Sequence, residues 1–291
     1  MSERLAVLAQ YVLPKLALTV LAGCFARWRG KALTTRVIRW FVKHYRIDMS
    51  EAADPDPAAY RTFNEFFTRP LRVGARPLAE GDFLCPVDGA ISQFGAIADG
   101  QIYQAKGHHY TTLALVGGDR DLAARFQNGA FATLYLSPRD YHRIHMPVAA
   151  CLRRMIYVPG DLFSVNPATA RGVPGLFARN ERVVCVFDAD FGCFVLVLVG
   201  ATIVGSMATV WHGTVNTSRS REIREWTYRD SGVSLQQGEE MGRFMLGSTV
   251  VVLFPDDTLR FNPSWAPERT VRVGEMMGLA VNRSGASNSP R

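Results

Sequence analysis

The sequence predicts an α+β fold, a mainly antiparallel β-sandwich-like domain preceded by amphipathic helices. Three observations predict it. From about Leu84 onward, short apolar runs rich in β-branched and aromatic residues are separated by Gly, Pro, Asn and Asp. The links between these runs are short, which favours antiparallel pairing. Ahead of them lies a segment with helical spacing that carries the whole positive excess of the chain.

The chain has 291 residues, 48% hydrophobic and 20% charged, enough for a sizeable core in one large domain or two modest ones. Its five cysteines are odd in number and form no CxxC pair, so neither a disulfide framework nor a zinc site is signalled, and a reducing compartment fits. The formal net charge is +7. Residues 1–48 hold nine Lys/Arg and two acids, so the rest of the chain is balanced. A nucleic-acid binder more often carries its basic patch within the folded domain. A basic, apolar N-terminus instead suits a membrane-surface element.

Taken in order, Leu5 to Ala26 is long enough to span a bilayer, but Lys15 near its middle would cost roughly 2.5–3.5 kcal/mol, and Pro14 and Gln10 add to the objection. A signal peptide also fits poorly, because no basic start precedes the apolar run. In KALTTRVIRWFVKHYRI, Arg36, Arg39, Lys43 and Arg46 form a basic stripe beside Val37, Trp40, Phe41 and Tyr45 at helical spacing. Such a helix can lie among lipid headgroups; the same pattern also suits a surface helix covering a core. The Pro/Asp stretch Ala52 to Ala59 marks the boundary. The expected organisation is N-terminal membrane-associating helices over 1–58, a β-rich catalytic domain over 59–281 and a disordered polar tail over 282–291. YRTFNEFFTRPL (60–71) reads as a helix ended by Pro70, and Leu122 to Gln127 as a second. AISQFGAI, GAFATLYL, CLRRMIYV, RVVCVFD, FGCFVLVLVGATIVGSM and GRFMLGSTVVVLF read as strands.

The last of these runs is interrupted by Gly247, Ser248 and Thr249. Glycine weakens a strand, and a buried hydroxyl needs a partner. Elsewhere Asp88 stands beside Gly89 in PVDGAIS, and SPRDYHRIHMP carries His142 and His145. An acid, a histidine and a serine are the parts of an activated nucleophile, although turns, structural histidines and bulges explain such residues as readily. There is no GxSxG elbow. A serine inside a strand-like run reaches little beyond its own backbone, which points to an internal target, the carbonyl of Gly247. Glycine there permits strained dihedrals and close approach.

With these stretches in view, the chain resembles the bacterial phosphatidylserine decarboxylases over most of its length. The resemblance is carried by YRTFNEFFTRPLR, VDGAISQFG, QAKGHHY, YLSPRDYHRIHMP, MIYVPGDLFSVNP, LFARNERV, VLVGATIVGS and MGRFMLGSTV, with LGST as the self-processing motif. It implies cleavage between Gly247 and Ser248 into a β chain, 1–247, and an α chain, 248–291. Ser248 would become a covalent pyruvoyl group, with no metal and no pyridoxal phosphate. By similarity, Asp88, His145 and Ser248 form a charge relay for cleavage. The pyruvoyl ketone would then condense with the amine of phosphatidylserine as a Schiff base, serve as electron sink for loss of CO2, and yield phosphatidylethanolamine.

Decarboxylation needs a proton donor, and His142 is the candidate. Its i,i+3 relation to His145 keeps both in one site if the segment is a helix or turn, and separates them if it is extended. Lys106, His108 and His109, or Arg179 and Arg182, are candidates for the lipid phosphate. The implied partners are phosphatidylserine in anionic membranes and the enzyme's own second chain. A higher homo-oligomer is compatible, and no nucleic acid is expected. The implied location is the cytoplasmic side of the cell membrane, held peripherally. Two competing readings are a pyruvoyl decarboxylase of a soluble amino acid, which the basic amphipathic N-terminus opposes, and a non-enzymatic membrane-associated β module, which an uncleaved chain would favour.

Overall fold

The computed structural model describes residues 3–203, 206–216, 220–229, 231–245 and 248–281, with the side chains of 3–6 and 9 left out. Leu246, Gly247 and the tail 282–291 lie outside the described residues, so the glycine of the expected cleavage site and the expected disordered tail do too.

Three helices come first: α1 (Glu3–Val12), α2 (Lys15–Arg27) and α3 (Ala32–Tyr45), followed by the short α4 (Phe63–Phe67). Pro14 separates α1 from α2, and among the described residues no helix is long and apolar enough to cross a membrane. Lys15 turns inward, with Nζ 2.9 Å from the Gln10 carbonyl and 3.6 Å from the centre of the Phe163 ring. Helix α4 is shorter than the expected 60–71. The Thr62 hydroxyl caps it by accepting from Glu65 N–H at 3.0 Å, and Pro70 cannot continue it.

The apolar face of α3 is not free. Phe41 sits 5.0 Å from Phe63 and 6.0 Å from Phe66, and Val37, Val42 and Tyr45 pack on the same aromatic cluster with Ile38 buried among them. The expectation that this face meets lipid is therefore corrected for all but Trp40, which is exposed. The outward apolar residues lie mainly on α1 and α2: Leu8, Val12, Leu13, Leu16, Val20, Leu21, Phe25 and then Trp28.

The β domain contains β1 (Phe83–Leu84), β2 (Gly89–Ala96), β3 (Gln101–Ala105), β4 (His108–Thr111), α5 (Thr112–Leu115), α6 (Arg120–Ala124), β5 (Ala130–Leu136), β6 (Arg143–His145) and β7 (Ala150–Val158). There follow α7 (Pro167–Gly172), α8 (Leu176–Arg179), β8 (Arg182–Ala189), β9 (Gly192–Val199), β10 (Met207–Thr209), β11 (Gly213–Thr214), β12 (Arg224–Thr227) and β13 (Ser234–Leu235). The last are β14 (Glu240–Phe244), β15 (Ser248–Phe254), β16 (Leu259–Phe261), β17 (Thr270–Val271) and β18 (Met276–Ala280).

The main sheet runs β12-β7-β8-β9-β15-β5-β2-β17, with β13 also on β7, and its pairings are antiparallel. Its central strands are buried on both faces, which explains their unbroken apolar sequence. Val250, Val252 and Phe254 of β15 join one core with the smaller sheets β1-β18-β16 and β11-β10-β14-β6. Val251 and Leu253 point into the other core, beneath helices α5 to α8. The run read as one strand, GRFMLGSTVVVLF, belongs to two sheets. Strand β14 lies in the four-stranded sheet and β15 at the centre of the main one, so the chain changes sheets between Met245 and Ser248.

Candidate active site

Ser248 opens β15 opposite Leu136 of β5. It is fully buried, and among the described residues neither its Oγ nor that of Thr249 has a hydrogen-bond partner. Two orphaned hydroxyls at the sheet change are costly in a finished core, but fit a residue awaiting chemical conversion. On the neighbouring strand, Gly89 approaches so closely that a Cβ would stand 2.3 Å from the Tyr135 carbonyl oxygen. That contact explains the glycine after Asp88.

His142 and His145 flank β14. Phe244 N–H donates to the His142 carbonyl at 3.0 Å, whereas His145 pairs with Glu240 four residues earlier. His142 is therefore nearer, along the strand, to the Gly247–Ser248 junction. Of the two cases left open by the sequence, a helix or turn and an extended chain, the extended one is found. Arg143–His145 is extended strand, and alternation sends the rings to opposite sides.

His142 is fully buried, its ring 4.1 Å from that of Phe67. Its Nδ1 lies 2.7 Å from the Asp140 carbonyl, which can only accept, so Nδ1 carries the proton. Nε2 is a bare lone pair without a partner among the described residues. Burial pushes its pKa down to about 3, and the ring is neutral at pH 7. His145 has the same tautomer by the same reasoning. Its Nδ1 donates to the Gly238 carbonyl at 2.8 Å, and Nε2 accepts from the Tyr141 hydroxyl at 3.1 Å. Burial lowers its pKa as well.

Asp88 is held elsewhere. Arg76 Nε lies 2.9 and 3.1 Å from its two oxygens, Arg76 NH2 also donates to Oδ2, and Val273 N–H donates at 2.9 Å. Arg76 continues to Glu51 at 2.8 Å, and Glu51 to Arg272 at 2.8 Å. His145 N–H donates to the carbonyl of Pro86, two residues before Asp88, so the acid and the imidazole belong to touching segments. They share no hydrogen bond, and neither reaches Ser248 Oγ.

A cavity of about 320 Å³ opens beside Asp88, lined also by Arg69, Arg76, Arg139, Tyr141 and, at the end of α3, Arg46 and Ile47. A second, of about 460 Å³, shares Gly89, Arg139 and Asp140 with it and reaches Lys106 and Tyr135.

The other expected residues are dispersed. Lys106 and Gly107, both with positive φ, make the β3–β4 turn. His108 and His109 line neither cavity. Arg179 pairs with Asp161 at 3.4 Å and lies over the Phe163 ring, 4.8 Å from its centre. Arg182 is buried. Its guanidinium donates to the carbonyls of Leu115 (2.6 Å), Asn180 (2.9 Å) and Ala114, tying down the end of α5, and burial lowers its pKa to about 10. Each of its three guanidinium nitrogens is engaged with backbone inside the core, which corrects its expected contact with phosphate. The sequence gives no sign of Arg76 and Glu51, because no periodicity or motif marks a lone arginine that meets an acid 12 or 25 residues away, nor of Arg69, whose burial follows from the fold. Among the described residues, no group of His, Cys, Asp or Glu is arranged to hold a metal ion.

Comparison with known proteins adds the following. A family model described as phosphatidylserine decarboxylase matches residues 63–279, and another, described as PSD, matches residues 5–46. The chain is 72% identical to a protein of Azoarcus sp. (strain BH72) over 278 residues, 96% of each chain. It is 69% identical to one of Dechloromonas aromatica (strain RCB), over 97% of this chain and 100% of the relative. It is 70% identical to one of Methylibium petroleiphilum, over 96% and 99%. All three relatives are named phosphatidylserine decarboxylase proenzyme.

Proposed function

The chain belongs to the phosphatidylserine decarboxylase family, and on that premise we propose that it is made as a proenzyme, cuts itself between Gly247 and Ser248, and converts phosphatidylserine to phosphatidylethanolamine and CO2. The observation that carries the reading is the buried, unpartnered hydroxyl of Ser248 at the sheet change. In the first reaction Ser248 Oγ attacks the Gly247 carbonyl, the Gly247–Ser248 amide bond breaks and an ester forms. The hydroxyl proton passes to His145 and on to the freed amine. Removal of the Ser248 α-proton expels the Gly247 carboxylate as the end of the 1–247 chain. Water then replaces the nitrogen of the resulting dehydroalanine, ammonia leaves, and a pyruvoyl group caps 248–291.

His145 is fitted to this by its unprotonated Nε2, once the Tyr141 hydroxyl gives way. The Gly238 carbonyl orients the ring, while Asp88 acts as a nearby negative charge that favours the imidazolium. The pyruvoyl ketone, when formed, supplies the electron sink that an unaided chain lacks. The orphaned Thr249 hydroxyl and the bare His142 Nε2 are the groups available to hold it and to carry a proton beside it. His142 stays neutral without substrate, so it first accepts and then donates.

The outward apolar residues of α1 and α2, with Arg27, Arg29, Lys31, Arg36 and Arg39 exposed nearby, suit peripheral attachment to an anionic membrane, where the substrate resides. Residues 1–58 form the attaching part in this reading, and 59–281 the catalytic part. The test is direct. Purified protein mixed with phosphatidylserine micelles should release CO2, and its denatured mass should resolve into two chains ending at 247 and beginning at a pyruvoyl-capped 248. A single chain of 32.2 kDa that releases no CO2 overturns the reading.

A further inference from the structure

We propose that Arg69 binds the phosphodiester of the phospholipid headgroup, in the cavity between the end of α3 and Asp88. The proposal rests on the lipid reading above and names the residue that recognises the lipid.

Arg69 is 4% exposed. Among the described residues, the one hydrogen bond of its side chain is a long one, 3.5 Å from NH1 to the Phe66 carbonyl, and its guanidinium lies 5.2 Å from the Phe66 ring centre. Nε is buried with no acceptor. Among the described residues no carboxylate pairs with it: Asp88 is taken by Arg76, and Glu51 by Arg76 and Arg272. A buried cation without a counter-ion is expensive, and burial already pulls its pKa down. The cavity lining balances five arginines with five carboxylates, but the buried Arg69 fork is left unused among them, the arrangement that suits an incoming oxyanion.

The location fits a headgroup. The cavity, about 320 Å³, has Arg46 and Ile47 at its α3 side, and Ile47 joins the aromatic cluster that also takes Ala26 of α2. Its Gly89 wall belongs to β2, and Ser248 lies two strands away across β5, a backbone separation of about 10 Å. A headgroup anchored at Arg69 can thus extend toward the reacting residue while its acyl chains stay with the helices.

The substrate offers two oxyanions, and the chemistry selects the phosphodiester. Pairing Arg69 with the carboxylate would stabilise the charge that decarboxylation must disperse, and so bind the ground state better than the transition state. The phosphodiester is unchanged by the reaction, and binding it costs the chemical step nothing.

Soluble headgroups separate the cases. Glycerophosphoethanolamine carries the phosphodiester alone; glycerophosphoserine carries both anions. Calorimetry with the processed enzyme should show Arg69→Gln weakening both by about tenfold to a hundredfold, with Arg69→Lys intermediate. KM for phosphatidylserine should rise far more than kcat falls, and cleavage into two chains should report a folded variant. Loss of glycerophosphoserine binding alone would assign Arg69 to the carboxylate and overturn the proposal, as would unchanged affinity for both. Should Arg69→Gln not fold, Arg69→Lys and a glycerophosphoethanolamine soak of the unaltered enzyme decide, since phosphorus bound away from Arg69 refutes it. Absence of CO2 release by the unaltered enzyme would instead refute the lipid reading and leave the glycerophosphoethanolamine result to stand.

Discussion

The Tyr141 hydroxyl donates to His145 Nε2 at 3.1 Å, while Gly238 accepts from the opposite edge of the ring at 2.8 Å. Both nitrogens are thus occupied in the uncut chain. The phenol's own pKa is raised to about 12 by burial, so it remains a donor at neutral pH. A hydrogen bond given to the neutral imidazole disfavours the imidazolium. Tyr141→Phe should therefore raise the pKa of His145 and shift the acid limb of the self-cleavage rate to higher pH. Cleavage timed on denaturing gels between pH 5 and 8 measures this. An unshifted limb would mean that His145 does not take the proton.

The Arg76–Asp88 pair is buried, with about 9% of each side chain exposed. Removing one partner strands the other, at a cost of about 3–5 kcal/mol. Arg76→Gln should lose roughly that stability in urea unfolding, and adding Asp88→Asn should restore most of it. Self-cleavage should be slow in the single variant and remain slow in the double, because the second change removes the charge that supports His145. Full cleavage in the double variant would relieve Asp88 of any role in processing.

These two pairs mark where the sequence stopped being readable. RVVCVFD and the first part of FGCFVLVLVGATIVGSM are legible because both faces of β8 and β9 are buried. The second run was read too long, since the strand ends at Val199 before the chain re-enters another sheet at Met207. GRFMLGSTVVVLF looked continuous because each half is apolar, and nothing local records that the halves serve different sheets. In the site, His142, His145 and Ser248 stand in recognisable stretches, but their tautomers and partners come from Asp140, Gly238 and Tyr141 through the fold. The i,i+3 spacing of the histidines leaves a turn and a strand equally open, and only the pairing with β14 makes the chain there extended.

Ser248→Ala should leave one uncut chain of nearly the native mass, because no hydroxyl remains to attack Gly247. The two histidines should then separate. His145→Ala should cleave slowly, whereas His142→Ala should yield both chains yet release CO2 poorly. The sheet register, which sets His142 nearer the junction, makes the reverse outcome informative. If His142→Ala stays uncut and His145→Ala cleaves, His142 is the processing base.

Acid should destabilise the folded chain early. The native pKa of His142 is depressed by burial to about 3, whereas in the unfolded chain it titrates near the ordinary imidazole value of 6.5. Between those values the unfolded state binds the extra proton, so stability falls as pH falls, by about 3 kcal/mol at pH 4 for this group. His145 acts in the same direction. Asp140, whose carboxyl is raised by burial, offsets part of the loss as it protonates. Urea midpoints at pH 7, 5.5 and 4 should decline, and His142→Asn should flatten the decline. An equal slope in that variant would mean that the native imidazole is protonated with the bulk.

Membrane attachment can draw on apolar burial or on charge, and the helices assign them to different residues. Leu16, Val20, Leu21, Phe25 and Trp28 are 47–67% exposed and recur along α2 with helical spacing. Transferring such half-exposed side chains into lipid is worth about 1 kcal/mol each. Arg29, Lys31, Arg36 and Arg39 are exposed at the α2–α3 end, at about 1 kcal/mol per charge near an anionic surface. Changing Leu16, Leu21 and Phe25 to Ser should therefore weaken vesicle binding about a hundredfold at any salt concentration. Changing the four basic residues to Gln should weaken it by at most about a thousandfold in low salt, and much less once screening contracts to about 8 Å at 0.15 M. Self-cleavage should persist in both sets, because the reacting atoms lie inside the β domain. The opposite pattern, with the apolar set silent and the basic set decisive at every salt concentration, would place the protein on headgroups alone and leave the outward residues of α2 in need of another partner.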